Sequence, residues 1–266
     1  MWKLLCESVR GVSHEASELP CQDHSLGEWV KAGEEIVLLL ACADGAGSAE
    51  HAEIGARIAC QSIVHEIREA FNAGVKLSDI DAGVMTAWYR RARELLSAEA
   101  DLRASRSREF ACTLLTAIVG EQDALFSQIG DGAIVLSEDD SYGAVFWPQS
   151  GEYLNTTNFL TDEEFESRLE FRRHPKRVDE LALLTDGLQM LALRYEQKCV
   201  HGPFFQSMFT ALRGADDAST LQTPLHDFLT SSSVNRRTDD DKTLILATRR
   251  LPDDAAQPVR QPEPTS

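Results

Sequence analysis

Glu35-Ile36-Val37-Leu38-Leu39-Leu40-Ala41-Cys42-Ala43-Asp44-Gly45 decides how the rest of the chain is read. From Ile36 to Ala43 every residue is apolar. A strand with one wet face alternates apolar and polar residues, so an unbroken run of this length marks a strand covered on both faces. The run stops abruptly at Asp44-Gly45. Two other segments end in the same pair: Ala124 to Ile129 leads to Asp131-Gly132, and Leu181 to Thr185 stops at Asp186-Gly187. A fourth acidic cluster, Asp239-Asp240-Asp241, stands just before the apolar run Leu244 to Ala247.

If these runs are strands of packed sheets, the acids sit at strand ends, where distant segments converge. Gathered carboxylates repel one another unless cations neutralise them, and hard divalent cations prefer oxygen ligands. The pattern therefore points to a metal site assembled from the whole chain. Asp-Gly is also a common hairpin turn. Asp131-Gly132 lies between two short strands, where a turn fits as well as ligation. Asp44-Gly45 and Asp186-Gly187 each precede a helical segment and need no hairpin, so a functional role is favoured there.

The remaining elements follow from periodicity. Trp2 to Val9 is strand-like, and Val12 to Asp23 is a polar loop broken by Pro20. Ala49 to Ala73 reads as a long helix, with Ile54, Ile58, Ile63, Ile67 and Phe71 near helical spacing. Leu77 to Ala100 reads as a second helix, with Ser78 as its N-cap and Ile80, Val84, Ala87 and Trp88 on its apolar face. Phe110 to Val119, Ala124 to Ile129, Ala133 to Leu136 and Ala144 to Trp147 form an antiparallel meander. A short helix over Asp162 to Leu169, helices over Phe204 to Leu212 and Leu221 to Leu229, and a last strand from Thr243 to Thr248 complete the order. Helices facing antiparallel sheets fit this better than regular βαβ alternation.

With 266 residues, 43% of them hydrophobic, the chain can build one large core. Residues 1–250 read as one domain and 251–266, rich in Pro, Asp and Gln, as a disordered tail. Lys plus Arg total 26 against 43 Asp plus Glu, a formal charge of −17. Such a surface repels a phosphate polymer, so nucleic acid is not an expected partner. No run approaches membrane-spanning length, the N-terminus is too short for a signal sequence, and the six cysteines include no C-x-x-C pair. Cys42, Cys60 and Cys112 read as small core residues. A reducing cytoplasm, with no membrane partner, is the expected setting.

Gly11-Val12-Ser13-His14 followed by Pro20-Cys21-Gln22-Asp23 resembles the opening motif of the protein phosphatase 2C-like (PPM) superfamily, in a bacterial branch. Ala43-Asp44-Gly45-Ala46-Gly47-Ser48 resembles its second motif. Ala111 to Leu115 and Ile129 to Gly132 resemble its central strands. Leu184-Thr185-Asp186-Gly187 and Asp240-Asp241-Lys242-Thr243 resemble its last two acidic motifs. The resemblance runs in the right order from about Val9 to Ala247.

That resemblance implies an α+β fold, a four-layer αββα sandwich of two antiparallel sheets flanked by helices. It implies a metal-dependent serine/threonine phosphatase that uses a metal-bridged water and forms no phosphoenzyme. Two or three Mn2+ or Mg2+ ions are expected. By motif position, Asp44 bridges two metals and Gly45 offers its carbonyl. Asp186 and Asp240 complete one metal, Asp23 holds the other through water, and Asp131 joins Asp186 at a third. A phosphorylated protein substrate and a serine/threonine kinase of the same pathway are the implied partners.

Two departures stand out. Gln22-Asp23 replaces the family's usual acidic pair, and Ala46 replaces the histidine thought to protonate the leaving group. His14 is the nearest candidate acid, although a lone loop histidine is more often a hydrogen-bonding surface residue. Arg10 is the nearest candidate for the missing phosphate-gripping arginine. The competing reading is a weakly active or inactive phosphatase-like module that binds phosphoproteins. The C-x5-R of cysteine phosphatases, a P-loop and a complete dinucleotide glycine motif are all absent. Asp239-x-Asp241-x-Thr243 matches D-x-D-x-T, but it precedes a last strand rather than following a first one.

Overall fold

A computed structural model describes residues 2–138, 141–149 and 157–252. Apart from Leu251 and Pro252, the tail expected over 251–266 falls outside these residues. The first half of the chain contains β1 (Lys3–Val9), α1 (Val12–Ala16), β2 (His24–Ala32), β3 (Glu35–Ala43), α2 (Ala52–Asn72), α3 (Ala82–Leu102), β4 (Leu114–Val119) and β5 (Ala124–Ile129). The second half contains β6 (Ala133–Glu138), β7 (Ser141–Ala144), α4 (Phe165–Arg168), β8 (Glu170–His174), β9 (Glu180–Leu184), α5 (Gln189–Ala192), β10 (Leu193–Arg194) and β11 (Cys199–Val200). It ends with α6 (Gly202–Gly214), α7 (Gln222–Leu229), α8 (Ser232–Asn235) and β12 (Lys242–Thr248).

Ten strands form two antiparallel five-stranded sheets, β1-β12-β9-β6-β7 and β2-β3-β4-β5-β8. The apolar run of β3 shows why they stack. Val37, Leu39, Ala41 and Ala43 pack with Ala56, Ile63 and Ile67 of α2 and Tyr89 and Leu96 of α3. Leu38, Leu40 and Cys42 point the other way, against Leu181, Leu183, Ile245 and Ala247 of the facing sheet. Successive side chains of a strand alternate faces, so burial on both faces demands apolar residues at every position. The outer face of the other sheet is closed by Phe205, Phe209 and Leu212 of α6 and Leu225 and Leu229 of α7. The result is the expected αββα sandwich.

Several local expectations change. The second long helix starts at Ala82, and its cap is Asp81, whose side chain accepts from Val84 N at 2.9 Å. Ser78 lies instead in a separate 3-10 turn, Leu77–Asp79. The loop from Val12 contains the short helix α1. The strand expected from Phe110 begins only at Leu114, and the one expected over Ala144 to Trp147 is β7, three residues earlier. The helix expected over Asp162 to Leu169 is the single turn α4. Edge strands β2 and β8 have no counterpart in the sequence reading. Edge positions tolerate charge, and His24–Ala32 and Glu170–His174 carry the polar side chains that hide a strand signal.

The largest correction concerns the meander. β4 and β5 do form a hairpin, but β5 and β6 belong to different sheets. Gly130-Asp131-Gly132 is therefore a crossing between sheets and not a hairpin turn. Gly130 has φ +109, and a Cβ there would lie 2.4 Å from the Thr113 side chain, so this corner requires glycine twice over.

Candidate metal centre

Strand register brings the acids together. His24 pairs with Ala43, and Leu114 pairs with Ile129. In the other sheet Leu184 pairs with both Ala133 and Leu244. Asp23 precedes β2, Asp44 follows β3, Asp131 lies between β5 and β6, Asp186 follows β9, and Asp240 precedes β12. All five therefore come to one end of the sandwich.

Asp44, Asp131 and Asp186 converge most closely: each offers a carboxylate oxygen, and the three oxygens lie within 4.8 Å of one another. Asp131 thus joins this group rather than serving as a turn. Asp240 lies outside the trio, although its charge is felt at Asp131 and Asp186. Its own Oδ1 accepts from Asp241 N at 2.8 Å.

Asp44 is held from both sides by Thr113. Its N–H donates to Thr113 Oγ1 at 2.9 Å, and its carbonyl accepts from Thr113 N at 2.8 Å. Gly45 donates its N–H to the Gln22 carbonyl at 3.1 Å. A Cβ at Gly45 would lie 2.7 Å from the carbonyl oxygen of Ala52 in α2, so the glycine is already required by the approach of that helix. Asp131 accepts at Oδ2 from the Thr157 hydroxyl, and its backbone carbonyl accepts from the Gln189 side chain.

Asp23 is buried. Its Oδ2 accepts from Thr185 Oγ1 at 2.7 Å and Thr243 Oγ1 at 2.8 Å. Its Oδ1, like Oε1 of neighbouring Gln22, is buried with no hydrogen-bond partner among the described residues. A buried acceptor without a donor costs about 1–3 kcal/mol, so both atoms call for a water or a cation.

The electrostatics agree. Burial pushes Asp23 up to about 8, against the pull of the two threonine hydroxyls and with the charges of Asp241 and Asp186 adding to the rise. Burial first, then Asp131 and Asp240, push Asp186 up to about 6. Burial and the charges of Asp23, Asp186 and Asp131 hold Asp44 well above the usual carboxylate range. Carboxylate oxygens of Asp44 and Asp186 lie within 4.8 Å of each other, so a proton or a cation between them relieves their repulsion. No ion pair to Asp23, Asp44, Asp131 or Asp186 is found among the described residues. Clustered oxygens, mutual repulsion and an orphaned acceptor are what a divalent cation site offers.

His14 is buried, not a surface residue. Its Nδ1 lies 2.9 Å from Oδ2 of Asp241. Asp241 itself is buried and accepts from Gly11 N at 2.6 Å and Gln22 N at 2.5 Å, tying the first motif to the last. Arg10 is exposed, donates to the Leu19 carbonyl at 3.3 Å and lies 4.0 Å from Glu15, so its guanidinium is turned to its own loop. Ala46 sits in a small apolar cluster with Ala49, Ala52 and Ala111, against which Phe159 packs. Sequence reasoning missed Thr113, Thr185, Thr243 and Asp241. The only signal was adjacency, since Thr185 and Thr243 stand beside the acids of the last two motifs.

Residues 10–230 match the family described as protein phosphatase 2C. Serine/threonine-protein phosphatase 3 of Escherichia coli is 37% identical over 251 residues, which span 92% of this chain and 98% of that protein. The crystal structure of a bacterial serine phosphatase superposes with a TM-score of 0.61 at 16% identity, over 94% of this chain and 99% of that one. A serine/threonine phosphatase from Staphylococcus aureus superposes with a TM-score of 0.57 at 17% identity, over 94% and 96% of the two chains. At such identities the two structures bear on the fold.

Proposed function

The chain belongs to the protein phosphatase 2C family, and from that premise we propose how its acid cluster serves phosphate-ester hydrolysis. The enzyme is a metal-dependent serine/threonine protein phosphatase, a phosphoric monoester hydrolase acting on phosphorylated protein. The observation that carries the mechanism is the convergence of Asp44, Asp131 and Asp186 within 4.8 Å.

In this reading Asp44 and Asp186 would hold two divalent cations together with the Gly45 carbonyl and Asp240, and Asp131 would support a third with Asp186. Mn2+ and Mg2+ suit an all-oxygen donor set. Ions held there would supply Lewis-acid chemistry, making a water more acidic and offsetting charge on the phosphate oxygens. Asp23 orients a water through its free Oδ1 while Thr185 and Thr243 fix its other oxygen. Gln22 supplies a neutral acceptor in place of a second carboxylate. Ala46 offers no proton to the leaving oxygen. His14 we assign to holding Asp241, and Arg10 to its own loop.

The substitutions at Gln22 and Ala46 leave all three carboxylates of the trio in place, which supports activity over the phosphoprotein-binding alternative. A cytoplasmic setting and a partner kinase acting on the same substrate belong to the same proposal. Among the described residues no helix is long and apolar enough to cross a membrane. The test is hydrolysis of a phosphothreonine peptide with and without Mn2+ or Mg2+. Cation-dependent release of phosphate is expected, and an inert wild type under both ions would remove the reading.

A further inference from the structure

Immediately after the Asp186-Gly187 motif the chain forms α5 and then the small hairpin β10–β11. Tyr195 stands at the hairpin tip and is 43% exposed, one of eight large hydrophobic side chains open to solvent among the described residues. Met190, next to Gln189 on α5, is 65% exposed. Such side chains scattered singly need no explanation, but Tyr195 is tied to the acid cluster.

The tie to the acid cluster is short. Tyr195 OH donates to Gln189 Oε1 at 2.5 Å, and the Gln189 amide donates to the Asp131 carbonyl. From the other side, Trp147 packs edge-on to Tyr195 with ring centroids 5.4 Å apart. Two residues further on, Gln149 Oε1 accepts from Gly130 N at 2.9 Å. Both ends of the aromatic pair are thus pinned to the corner that carries Asp131. Partial burial first, with the charges of Asp131 and Asp186 adding to it, raises the Tyr195 phenol to about 12. The base of the hairpin is fixed by Arg194, whose Nη2 lies 2.9 Å from His201 Nδ1.

We propose that Tyr195, backed by Trp147, is a specificity-determining ledge at the rim of the acid cluster. It holds an apolar side chain that flanks the phosphorylated residue of the protein substrate. This rests on the phosphatase reading. An aromatic ring braced at its edge and at its hydroxyl loses little freedom on contact, which suits it to reading a neighbouring apolar group. The hydroxyl is spent on Gln189, so the ring surface does the reading.

The test uses the full chain with Mn2+ and a set of phosphothreonine decapeptides. A single leucine is stepped through the positions flanking the phosphothreonine in a serine and glycine background. Wild type is expected to favour one leucine position by roughly tenfold in kcat/KM, expressed in KM, the scale at which an apolar pocket discriminates. Tyr195→Ala should flatten that preference, and Tyr195→Phe should keep it. Three results would overturn the ledge: no preference in wild type, a preference that survives Tyr195→Ala, or equal loss in both variants with a fall in kcat. The last would mean that the hydroxyl acts through Gln189 on Asp131. Wild type that turns over p-nitrophenyl phosphate but reads no leucine sinks the ledge alone. Wild type inert on every substrate sinks the phosphatase reading and the ledge with it.

Discussion

The hydroxyl of Thr185 donates to Oδ2 of Asp23 at 2.7 Å across 162 positions of sequence. It ties the acid that opens β2 to the residue before Asp186, and so joins the two sheets at the end that carries the acid cluster. The same hydroxyl accepts from Thr243 N at 3.0 Å, which brings in β12 as well. Thr185→Val keeps the volume and removes both bonds. It should cost about 1–3 kcal/mol in urea unfolding of the metal-free protein, because a buried carboxyl loses a donor. It should also weaken Mn2+ binding by calorimetry. An unfolding change of a few tenths would show that Asp23 is held by something else.

The acid cluster makes metal-free stability fall with rising pH. Asp23 is pushed up to about 8 and Asp186 to about 6, both above the ordinary 3.8. Between 3.8 and these values the unfolded chain has released protons that the folded chain still holds. The folded state is therefore favoured at low pH, and this contribution is lost as pH rises through the folded values. In chelator, Tm should drop between pH 5.5 and pH 8.5. Mn2+ should restore more Tm at the higher pH, since binding displaces those protons. A metal-free Tm that is flat or rises over this range would contradict the placement of the acids.

His14 is expected to matter for stability rather than for proton transfer. Its Nδ1 engages Asp241, whose carboxylate also takes the N–H groups of Gly11 and Gln22. His14→Gln should lower unfolding stability by about 1–3 kcal/mol and leave the shape of the pH–rate profile unchanged. Loss of one limb of that profile would return His14 to the role of general acid.

Much of the sandwich is legible in the sequence because burial on two faces leaves a plain mark. β3 and β9 are apolar at nearly every position, β12 carries the unbroken run Leu244 to Ala247, and the acids at Asp44, Asp186 and Asp240 terminate or precede them. Edge strands leave no such mark: Trp29 of β2 is 49% exposed, and Glu-Phe-Arg-Arg-His of β8 looks like a loop. Asp131 is misleading for a related reason. Ile129-Gly130-Asp131-Gly132 is locally a turn whether the next strand pairs back or crosses to another sheet, and only the long-range register decides. His14 and Asp241 are likewise illegible, because what defines them is a contact spanning 227 positions.

The central claim is that Asp44 and its neighbours hold the cations that drive hydrolysis. The most direct measurement is Mn2+-dependent release of p-nitrophenol from p-nitrophenyl phosphate by wild type and Asp44→Ala, each shown to be folded by thermal melting. Wild type should be active with Mn2+ and silent in chelator. Asp44→Ala should lose roughly a thousandfold in kcat/KM, since cation stabilisation of the transition state amounts to several kcal/mol at about 1.4 kcal/mol per tenfold. A folded Asp44→Ala within a fewfold of wild type, at the same Mn2+ concentration, would contradict the account.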